Sequence, residues 1–314
     1  MTVLIVGAGA TGGFFGARLA QAGRDVTFLV RPHRAETLRR RGLRLSGLGQ
    51  EQLIQPSLVT AETLHHPYDT VLLAVKATAL QQAIEDLAPA VGPRTQIIPF
   101  LNGMAHIDQL NARFGTTSVL GGVVKVATQL NAEGDIVQVA PGASMAVGTQ
   151  DGSVLSLCEE VTAELGDAGF DFSVSDDIIT AMWAKWAFIS TISSLTCLMR
   201  GTVGDVVACP GGTDLGPALL AEAAAVAAAS GHSIPEGELA ATSLAATATG
   251  SSLTTSMYRD LQDGNATEVE HILGDLCRRG RLANRPTPML DLATLHIRVY
   301  EHRRSSGQRQ NRYS

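Results

Sequence analysis

The chain has 314 residues, of which 45% are hydrophobic and 17% charged, and its formal net charge is −6. This length suffices for two domains, and the acidic balance argues against a nucleic-acid partner. The sequence starts without a basic leader, and no uncharged apolar run reaches the ~18 residues of a membrane span. Its four cysteines are scattered, without metal spacing. We therefore expect a cytoplasmic protein with no membrane partner, metal or disulfide.

The N-terminal residues carry the strongest motif. A β-rich run at 2–6 precedes Gly7, Gly9 and Gly12 in the spacing Gly-x-Gly-x-x-Gly, and Gly12 opens a helical pattern that ends at Gln21. In a dinucleotide-binding turn these glycines allow the tight bend, the approach of a pyrophosphate and the packing of helix on strand. The alternative is a glycine-rich turn in another α/β protein. The predicted cofactor contacts are Gly7, Ala8, Gly9, Ala10, Thr11 and Gly12.

A second strand, predicted at 25–30, ends where a dinucleotide fold places the adenosine ribose. An acidic residue there would bind the 2′-hydroxyl of NAD, whereas an arginine accommodates the 2′-phosphate of NADP. The sequence has Arg31 and Arg34 here, and no acidic residue before Glu36. It therefore favours NADP, with Arg31 as the phosphate contact. The alternative is a solvated basic loop, since arginines continue at 39–41.

Two apolar runs, 70–75 and 96–101, are typical of buried parallel strands. Lys76 follows the first and Asn102 the second. Ligands of open α/β sheets bind beyond the carboxyl ends of the strands, so both side chains are candidate cofactor and substrate contacts. The alternative is that each is an ordinary polar residue at a strand end.

The rest of the first domain is predicted to contain strands and one helix. We expect strands at 119–129, 136–148 and 170–175, and a helix at 154–165. From residue 177 helical patterns replace the strands. The predicted domains are therefore 1–175, which binds the dinucleotide, and 176–302, which is helical and carries substrate and catalytic groups. A basic, polar tail at 303–314 is predicted to be disordered.

The first helix of the second domain, ending near Leu198, is apolar almost all round, which indicates burial. In its middle lies Lys185, which must be paired, extend to solvent or lose its proton. Lys185, Ile189 and Ser193 are spaced i, i+4, i+8 and share one face. Lys185 is therefore either a catalytic group or a lysine that extends from a buried helix to solvent.

Further helices are predicted at 212–230, 236–247, 267–283 and 288–302. Glu268 begins the third of them, where the helix dipole favours a carboxylate. An ordinary first-turn glutamate is the alternative. Ser256 lies in a polar loop before a short turn that carries Asp260.

Taken together and in this order, the motifs resemble the ketopantoate reductase family over nearly the whole chain. The resemblance implies an α/β Rossmann-type N-terminal domain followed by an all-α C-terminal domain, with the active site in the cleft between them. It also implies NADPH-dependent reduction of a 2-oxo acid, in the type case 2-dehydropantoate to pantoate in pantothenate biosynthesis. The motifs are the GAGATG turn, Arg31, Val75-Lys76, Asn102-Gly103-Met104, Trp183-Ala-Lys185 and Ser256-Met-x-x-Asp260 before Thr267-Glu268.

The resemblance implies a role for each matching position. The glycine turn and Arg31 would hold NADP, and Lys76 and Asn102 would lie near the nicotinamide ribose and the substrate. Lys185 would be the general acid that protonates the reduced carbonyl, since an apolar environment disfavours a charged lysine and so favours proton transfer. Glu268 would orient the substrate, with Ser256 as a further contact.

The sequence departs from the family pattern beside the catalytic lysine. Pantoate-forming members have asparagines at i+4 and i+8 from that lysine, where this chain has Ile189 and Ser193. Each polar group left unpaired costs roughly 1–3 kcal/mol. The alternatives are therefore a paralogue that reduces another 2-oxo acid or oxidises a hydroxy acid, with Ser193 as a substrate contact, and a non-catalytic NADP(H)-binding protein. The apolar helical domain is compatible with a homodimer.

Overall fold

The computed structural model describes residues 1–153 and 157–310. The chain divides into two compact units. The first comprises Met1–Leu101 and His106–Ile179, and the second comprises Asn102–Ala105 and Thr180–Ser314. The second unit thus includes a four-residue segment that the sequence places in the first domain.

Strands and helices alternate in the first unit. Its helices are α1 (Ala10–Gln21), α2 (Pro32–Arg41), α3 (Leu80–Leu87), α4 (Ala105–Phe114) and α5 (Leu157–Leu165). Its strands are β1 (Thr2–Val6), β2 (Asp25–Leu29), β3 (Leu43–Gly47), β4 (Gln50–Ile54), β5 (Ser57–Val59), β6 (Thr70–Leu73), β7 (Gln96–Pro99), β8 (Gly121–Leu130), β9 (Ile136–Gly148) and β10 (Asp171–Val174).

These strands form two sheets. The first is parallel, in the order β5-β2-β1-β6-β7. The strand order therefore reverses between β1 and β6, the place where open α/β sheets bind their ligands. The second sheet has the order β10-β9-β3-β4, with β8 antiparallel to β9.

Helix α1 packs against both sheets. A Cβ built on Gly16 would lie 2.6 Å from the ring of Phe28 in the first sheet, and one on Gly13 would overlap Ile136 in the second. Phe14 and Phe15 of α1 are also buried in this shared core. Burying each such ring contributes roughly 1.5–3 kcal/mol, so the helix that begins at the glycine turn is firmly held.

The second unit is helical. Its helices are α6 (Ile178–Met199), α7 (Val203–Val207), α8 (Gly212–Ala229), α9 (Glu236–Ala246), α10 (Ser256–Gln262), α11 (Asp275–Leu282) and α12 (Pro288–Gln310), and a π-helical turn at Glu270–Gly274 leads into α11. By length and composition α6 could cross a membrane, but 67% of its most apolar window is buried inside the protein. It is therefore a core helix.

The predicted fold class, an α/β Rossmann-type part followed by an all-α part, is confirmed, and several boundaries are corrected. Helix α1 begins at Ala10, before the predicted start at Gly12, because Gly9 already caps it. Helix α7 was missed, although Thr202 and Asp205 form a capping box at its start. The first residues of the predicted helix 154–165 lie outside the described residues.

The C-terminal prediction is also corrected. Residues 303–310 are helical, where the sequence predicted disorder, because α12 continues to Gln310. Local contacts support this extension: Arg304 pairs with Glu301 at 2.9 Å, and the hydroxyls of Ser305 and Ser306 donate to the carbonyl of His302. A polar composition indicated exposure here but did not exclude a helix. Residues 311–314 lie outside the described part of the chain.

Candidate active site

The glycine turn joins β1 to α1 and requires glycine at two positions. Gly7 has a φ of +99°, and a Cβ there would lie 3.0 Å from the carbonyl oxygen of Ala74. A Cβ on Gly12 would overlap the carbonyl of Gly7 and lie 2.6 Å from the Cβ of Ala74. The start of α1 therefore packs directly on the chain that leaves β6, which a side chain at either position would prevent.

The same turn leaves room for a phosphate group. Gly9 is the N-cap residue of α1, and its carbonyl accepts the N–H of Gly13 at 2.8 Å. Within the described residues, a Cβ on Gly9 would meet nothing within 4 Å. The N–H groups of Ala10, Thr11 and Gly12 precede the first intrahelical hydrogen bond and carry the positive end of the helix dipole. Open space above these donors fits the pyrophosphate of a dinucleotide.

Lys76 is far from this turn in the sequence but follows a segment that packs against it. The Cβ position of Gly7 is 3.2 Å from Cγ1 of Val75, so the turn contacts the segment that carries Lys76. Lys76 is exposed and caps a short 3₁₀ turn at Ala77–Ala79. The structure thus brings the glycine turn and the residues after β6 together at the reversal of strand order, as the sequence predicts.

The two arginines after β2 have different environments. Arg31 is the N-cap residue of α2 and is exposed. Arg34 is half-buried, and its Nη2 donates to the carbonyls of Ala8 at 3.3 Å and Gly134 at 2.9 Å. Burial lowers the pKa of Arg34, and the charge of Asp135 opposes this effect. Arg34 therefore braces the glycine turn, a role that sequence analysis missed because Gly134 is 100 residues away.

In the second unit, Lys185, Ile189 and Ser193 lie on one face of α6, and their burial increases along the helix. Lys185 and Ile189 are half-buried, whereas Ser193 is fully buried. The tryptophans Trp183 and Trp186, on either side of Lys185, are also buried. Lys185 is thus a partly accessible cation on a helix that is otherwise mostly buried and apolar, as its composition predicts.

Ser193 is hydrogen-bonded within the protein. Its hydroxyl donates to Oγ1 of Thr255 at 3.0 Å, and Thr255 in turn accepts the N–H of Tyr258 and caps α10. Ser256 is the first residue of α10 and is exposed. The structure therefore brings the Ser193 and Ser256 segments together through Thr255, which sequence analysis missed. A threonine before a helix is an N-cap signal, but this segment was predicted as a loop.

Glu268 is half-buried and lies two residues before the π-helical turn. Its carbonyl accepts the N–H groups of His271 and Ile272, both at 3.1 Å. The preceding N–H, of Thr267, donates to Oε1 of Glu301 at 2.6 Å. Burial raises the pKa of Glu301, but hydrogen bonds from Thr267 and Arg304 outweigh it and lower the pKa below its usual value. The Glu268 backbone is therefore anchored on both sides.

Asn102 is half-buried and lies, with Gly103, in the segment that belongs to the second unit. Gly103 has a φ of +82°, and a Cβ there would lie 2.7 Å from the carbonyl oxygen of His271. The indole N–H of Trp186 donates to the carbonyl of Ile272 at 2.9 Å. The segments that carry Asn102, Lys185 and Glu268 therefore meet at the π-helical turn.

A glycine turn at the start of a helix, together with a lysine, a glutamate and polar residues on a helical unit, points to one class of protein: oxidoreductases that use a nicotinamide cofactor. The chain belongs to the ketopantoate reductase family. The family described as "Ketopantoate reductase PanE/ApbA" matches residues 3–152, and its C-terminal counterpart matches residues 177–301. The family predicted from the motifs is thereby confirmed.

Relatives cover almost the full chain. A Bacillus subtilis protein named "Uncharacterized oxidoreductase YkpB" is 31% identical, over 96% of this chain and 99% of its own. A 2-dehydropantoate 2-reductase of Archaeoglobus fulgidus is 31% identical, over 88% and 90% respectively. The crystal structure of a PanE/ApbA family ketopantoate reductase from Ralstonia eutropha has a TM-score of 0.87 at 26% identity, covering 97% of this chain and 100% of that one.

Proposed function

We propose that this chain catalyses the NADPH-dependent reduction of a 2-oxo acid, 2-dehydropantoate to pantoate, as a cytoplasmic enzyme of pantothenate biosynthesis. The observation that carries the proposal is Lys185, a half-buried cation on a core helix that is otherwise apolar. A proton donor of this kind is what carbonyl reduction requires beside a hydride source. The glycine turn of the first unit supports the binding of that source.

The residues of each unit have separate tasks in this reaction. In the first unit, the N–H groups of Ala10, Thr11 and Gly12 hold the pyrophosphate, and Lys76 contacts the nicotinamide ribose or the substrate. When bound, the nicotinamide cofactor supplies a hydride to the carbonyl carbon of the substrate. Negative charge then builds on the carbonyl oxygen, and the ammonium group of Lys185 donates a proton to it.

The other polar residues of the second unit orient the substrate. The carboxylate of Glu268 accepts a hydrogen bond from the substrate hydroxyl. The hydroxyl of Ser256, exposed at the first position of α10, donates to the substrate carboxylate. The amide of Asn102 binds on the substrate and nicotinamide side. These contacts fix the carbonyl oxygen near Lys185, and orientation of this kind supplies much of the acceleration in bound reactions.

Arg31 supports the choice of NADPH over NADH. It is exposed at the N-cap of α2, so its guanidinium is available for the 2′-phosphate. Arg34 is engaged with two carbonyls and does not serve as a second phosphate ligand in this arrangement. Arg–phosphate hydrogen bonds are among the strong, geometrically specific contacts in proteins.

A second candidate function rests on Ile189. This side chain is half-buried, one helical turn from Lys185 on the same face, and it cannot hydrogen-bond a polar substrate. It favours a 2-oxo acid with an apolar group at the position where 2-dehydropantoate carries a hydroxyl. The cofactor and proton-donor roles are the same in both cases.

One assay separates these functions. Oxidation of NADPH and of NADH is followed with 2-dehydropantoate and with straight-chain, branched and aromatic 2-oxo acids, while cofactor binding is titrated in parallel. The highest kcat/KM with 2-dehydropantoate supports the first function, and the highest value with an apolar acid supports the second. Binding of the cofactor without turnover of any acid would leave a non-catalytic cofactor-binding protein and overturn both.

We also propose a homodimer formed through α12. Leu292, Leu295 and Val299 are spaced i, i+3, i+7 on this helix, and each is about half exposed, at 55%, 57% and 48%. An apolar row of this kind suits packing against the same helix of a second copy. Light scattering after size exclusion tests the dimer, and a monomer mass at assay concentrations would contradict it.

A further inference from the structure

The π-helical turn Glu270–Gly274 links candidate site segments that are far apart in the sequence. π-Helical turns are rare and often occur at functional sites. Here the carbonyl of His271 lies against Gly103 and the carbonyl of Ile272 accepts the indole N–H of Trp186, while the N–H of Ile272 donates to the carbonyl of Glu268. Ile272 is thus bonded on one side to the helix of Lys185 and on the other to Glu268.

Trp186 is held firmly. Its side chain is 1% exposed, and the N–H···O distance to Ile272 is 2.9 Å. Its ring lies 4.8 Å from the ring of Trp183, and the guanidinium carbon of Arg279 lies 5.7 Å from its centroid. Arg279 is itself fixed by Asp275, whose Oδ2 accepts its Nε–H at 2.9 Å. The indole therefore has little freedom to turn away from the carbonyl.

We propose that Trp186 is a positioning residue, which fixes the position of Glu268 relative to that of Lys185. Trp186 directly follows Lys185 in α6, so two hydrogen bonds through Ile272 connect the proposed acid to the backbone of the proposed substrate-orienting carboxylate. A shift of the π-helical turn would move Glu268 while leaving Lys185 in place. The inference rests on the proposed function, because it assigns these two residues their roles.

Asn102 is coupled to the same turn. A Cβ on Gly103 would lie 2.7 Å from the carbonyl oxygen of His271 and 3.8 Å from the indole nitrogen of Trp186. The backbone beside Asn102 therefore packs directly against the turn that Trp186 holds.

The first test measures the turn itself and needs no substrate. Trp186→Phe keeps an aromatic ring but removes the N–H that Ile272 accepts. Trp183→Phe is the matched control, since it removes a buried indole from the same helix but keeps an aromatic ring beside Trp186 and the N–H that Ile272 accepts. Hydrogen–deuterium exchange of the amides at 268–274 should quicken in Trp186→Phe and stay at the parent rate in Trp183→Phe. Equal exchange in the two variants would overturn the proposal.

The second test asks whether Trp186 acts through Glu268. Trp186→Phe should lower kcat by up to about tenfold, no more than the loss of the Glu268 carboxylate itself, because it acts through the position of that carboxylate. The dissociation constant of NADPH should stay nearly the same, because the first unit holds the cofactor phosphates on the proposed function. In a Glu268→Gln background the same substitution should cost almost nothing further, since residues that act as one unit are not additive.

The outcomes of the two tests are distinct. An equal loss of kcat in both backgrounds would show that Trp186 is only structural and would overturn the inference, as would parent kcat in Trp186→Phe. If the parent protein reduces no 2-oxo acid, the proposed function fails. In that case the exchange measurement still decides whether Trp186 holds the turn, and unchanged exchange would reject that as well.

Discussion

The glycine turn of the first unit and the π-helical turn of the second are built in opposite ways. Gly7 and Gly12 shape the former by lacking side chains, and its donors are backbone amides from consecutive residues. The latter is assembled from side chains and backbone groups of separate segments, with Trp186 bonded to Ile272 and Gly103 packed on His271. One is local and backbone-made, and the other is non-local and depends on side-chain identity.

This difference bears on what each region can recognise. A pyrophosphate is common to all dinucleotides, so a backbone cradle for it needs no particular side chain. A substrate is distinguished by side chains placed around it. The departures from the family pattern, Ile189 and Ser193, both lie on the helix of the second region. On the proposed function, substrate choice can therefore change without disturbing the glycine turn.

Lys185→Ala should have the largest effect and tests whether the helical unit supplies the proton. If the helical unit supplies the proton, kcat should fall roughly 10²–10⁴-fold, the usual contribution of a general acid. The dissociation constant of NADPH, measured by fluorescence titration, should stay nearly the same because, on the proposed function, the first unit holds the cofactor phosphates. Lys125→Ala is the control, since Lys125 is an exposed residue of β8. Full activity of Lys185→Ala would make this residue an ordinary lysine on a buried helix.

In the first unit, Arg31→Ala tests the choice between NADPH and NADH. Loss of a charged contact to the 2′-phosphate costs about 1.5–3 kcal/mol, so the dissociation constant of NADPH should rise about tenfold to a hundredfold. The affinity for NADH should not change. Arg40→Ala, an exposed arginine on the same helix, controls for general loss of positive charge. Equal affinities for NADPH and NADH in the parent protein would contradict the role of Arg31.

Glu268→Gln tests the carboxylate of the residue whose backbone carbonyl accepts hydrogen bonds from the π-helical turn. Its kcat/KM should fall roughly tenfold, about 1.4 kcal/mol of transition-state stabilisation. Glu270→Gln is a close control: Glu270 lies in the turn itself, but its carboxylate is 60% exposed and pairs with Arg298 on the surface. Exposed pairs contribute only about 0–1 kcal/mol. Similar kinetics for both variants would mean that Glu268 is an ordinary glutamate at a helix start.

The contrast between the local glycine turn and the non-local π-helical turn also explains which features the sequence could predict. The glycine turn, the fold class and the buried character of α6 follow from local spacing and periodicity, which are visible in a single chain. The brace from Arg34 to Ala8 and Gly134 is invisible at that level, because it joins residues 26 and 100 positions away. Hydrogen bonds between distant segments depend on the folded topology.

The second region shows the same limit more strongly. Lys185 and Glu268 stand out by residue type, the first as the one charged residue in the apolar sequence 181–199 and the second as a carboxylate at a predicted helix start. The contacts that organise them, through Trp186 and Ile272, involve an aromatic and an aliphatic residue with ordinary core patterns. The extra residue of a π-helical turn leaves no strong signal in a periodicity of 3.6. The pattern at 267–283 therefore predicted a single helix and did not indicate the π-helical turn.

The smallest effect concerns the two positions that depart from the family pattern. Ile189 is half-buried, so Ile189→Asn fits there and adds one hydrogen bond to a polar substrate. Such a bond contributes about 0.5–1.5 kcal/mol, so kcat/KM for 2-dehydropantoate should rise about threefold to tenfold. Because Asn also removes apolar contact, kcat/KM for an apolar 2-oxo acid should fall. Unchanged preference would show that Ile189 does not contact the substrate.

Ser193→Asn should behave differently, although it restores the same residue type. Ser193 is fully buried and its hydroxyl donates to Thr255, which caps α10. The larger amide overpacks this position, which typically costs 1–3 kcal/mol, and it displaces the contact to the cap. The free energy of unfolding from urea titration should therefore drop, without a gain in kcat/KM. A stable Ser193→Asn variant with improved turnover of 2-dehydropantoate would show that this position opens to the substrate in solution.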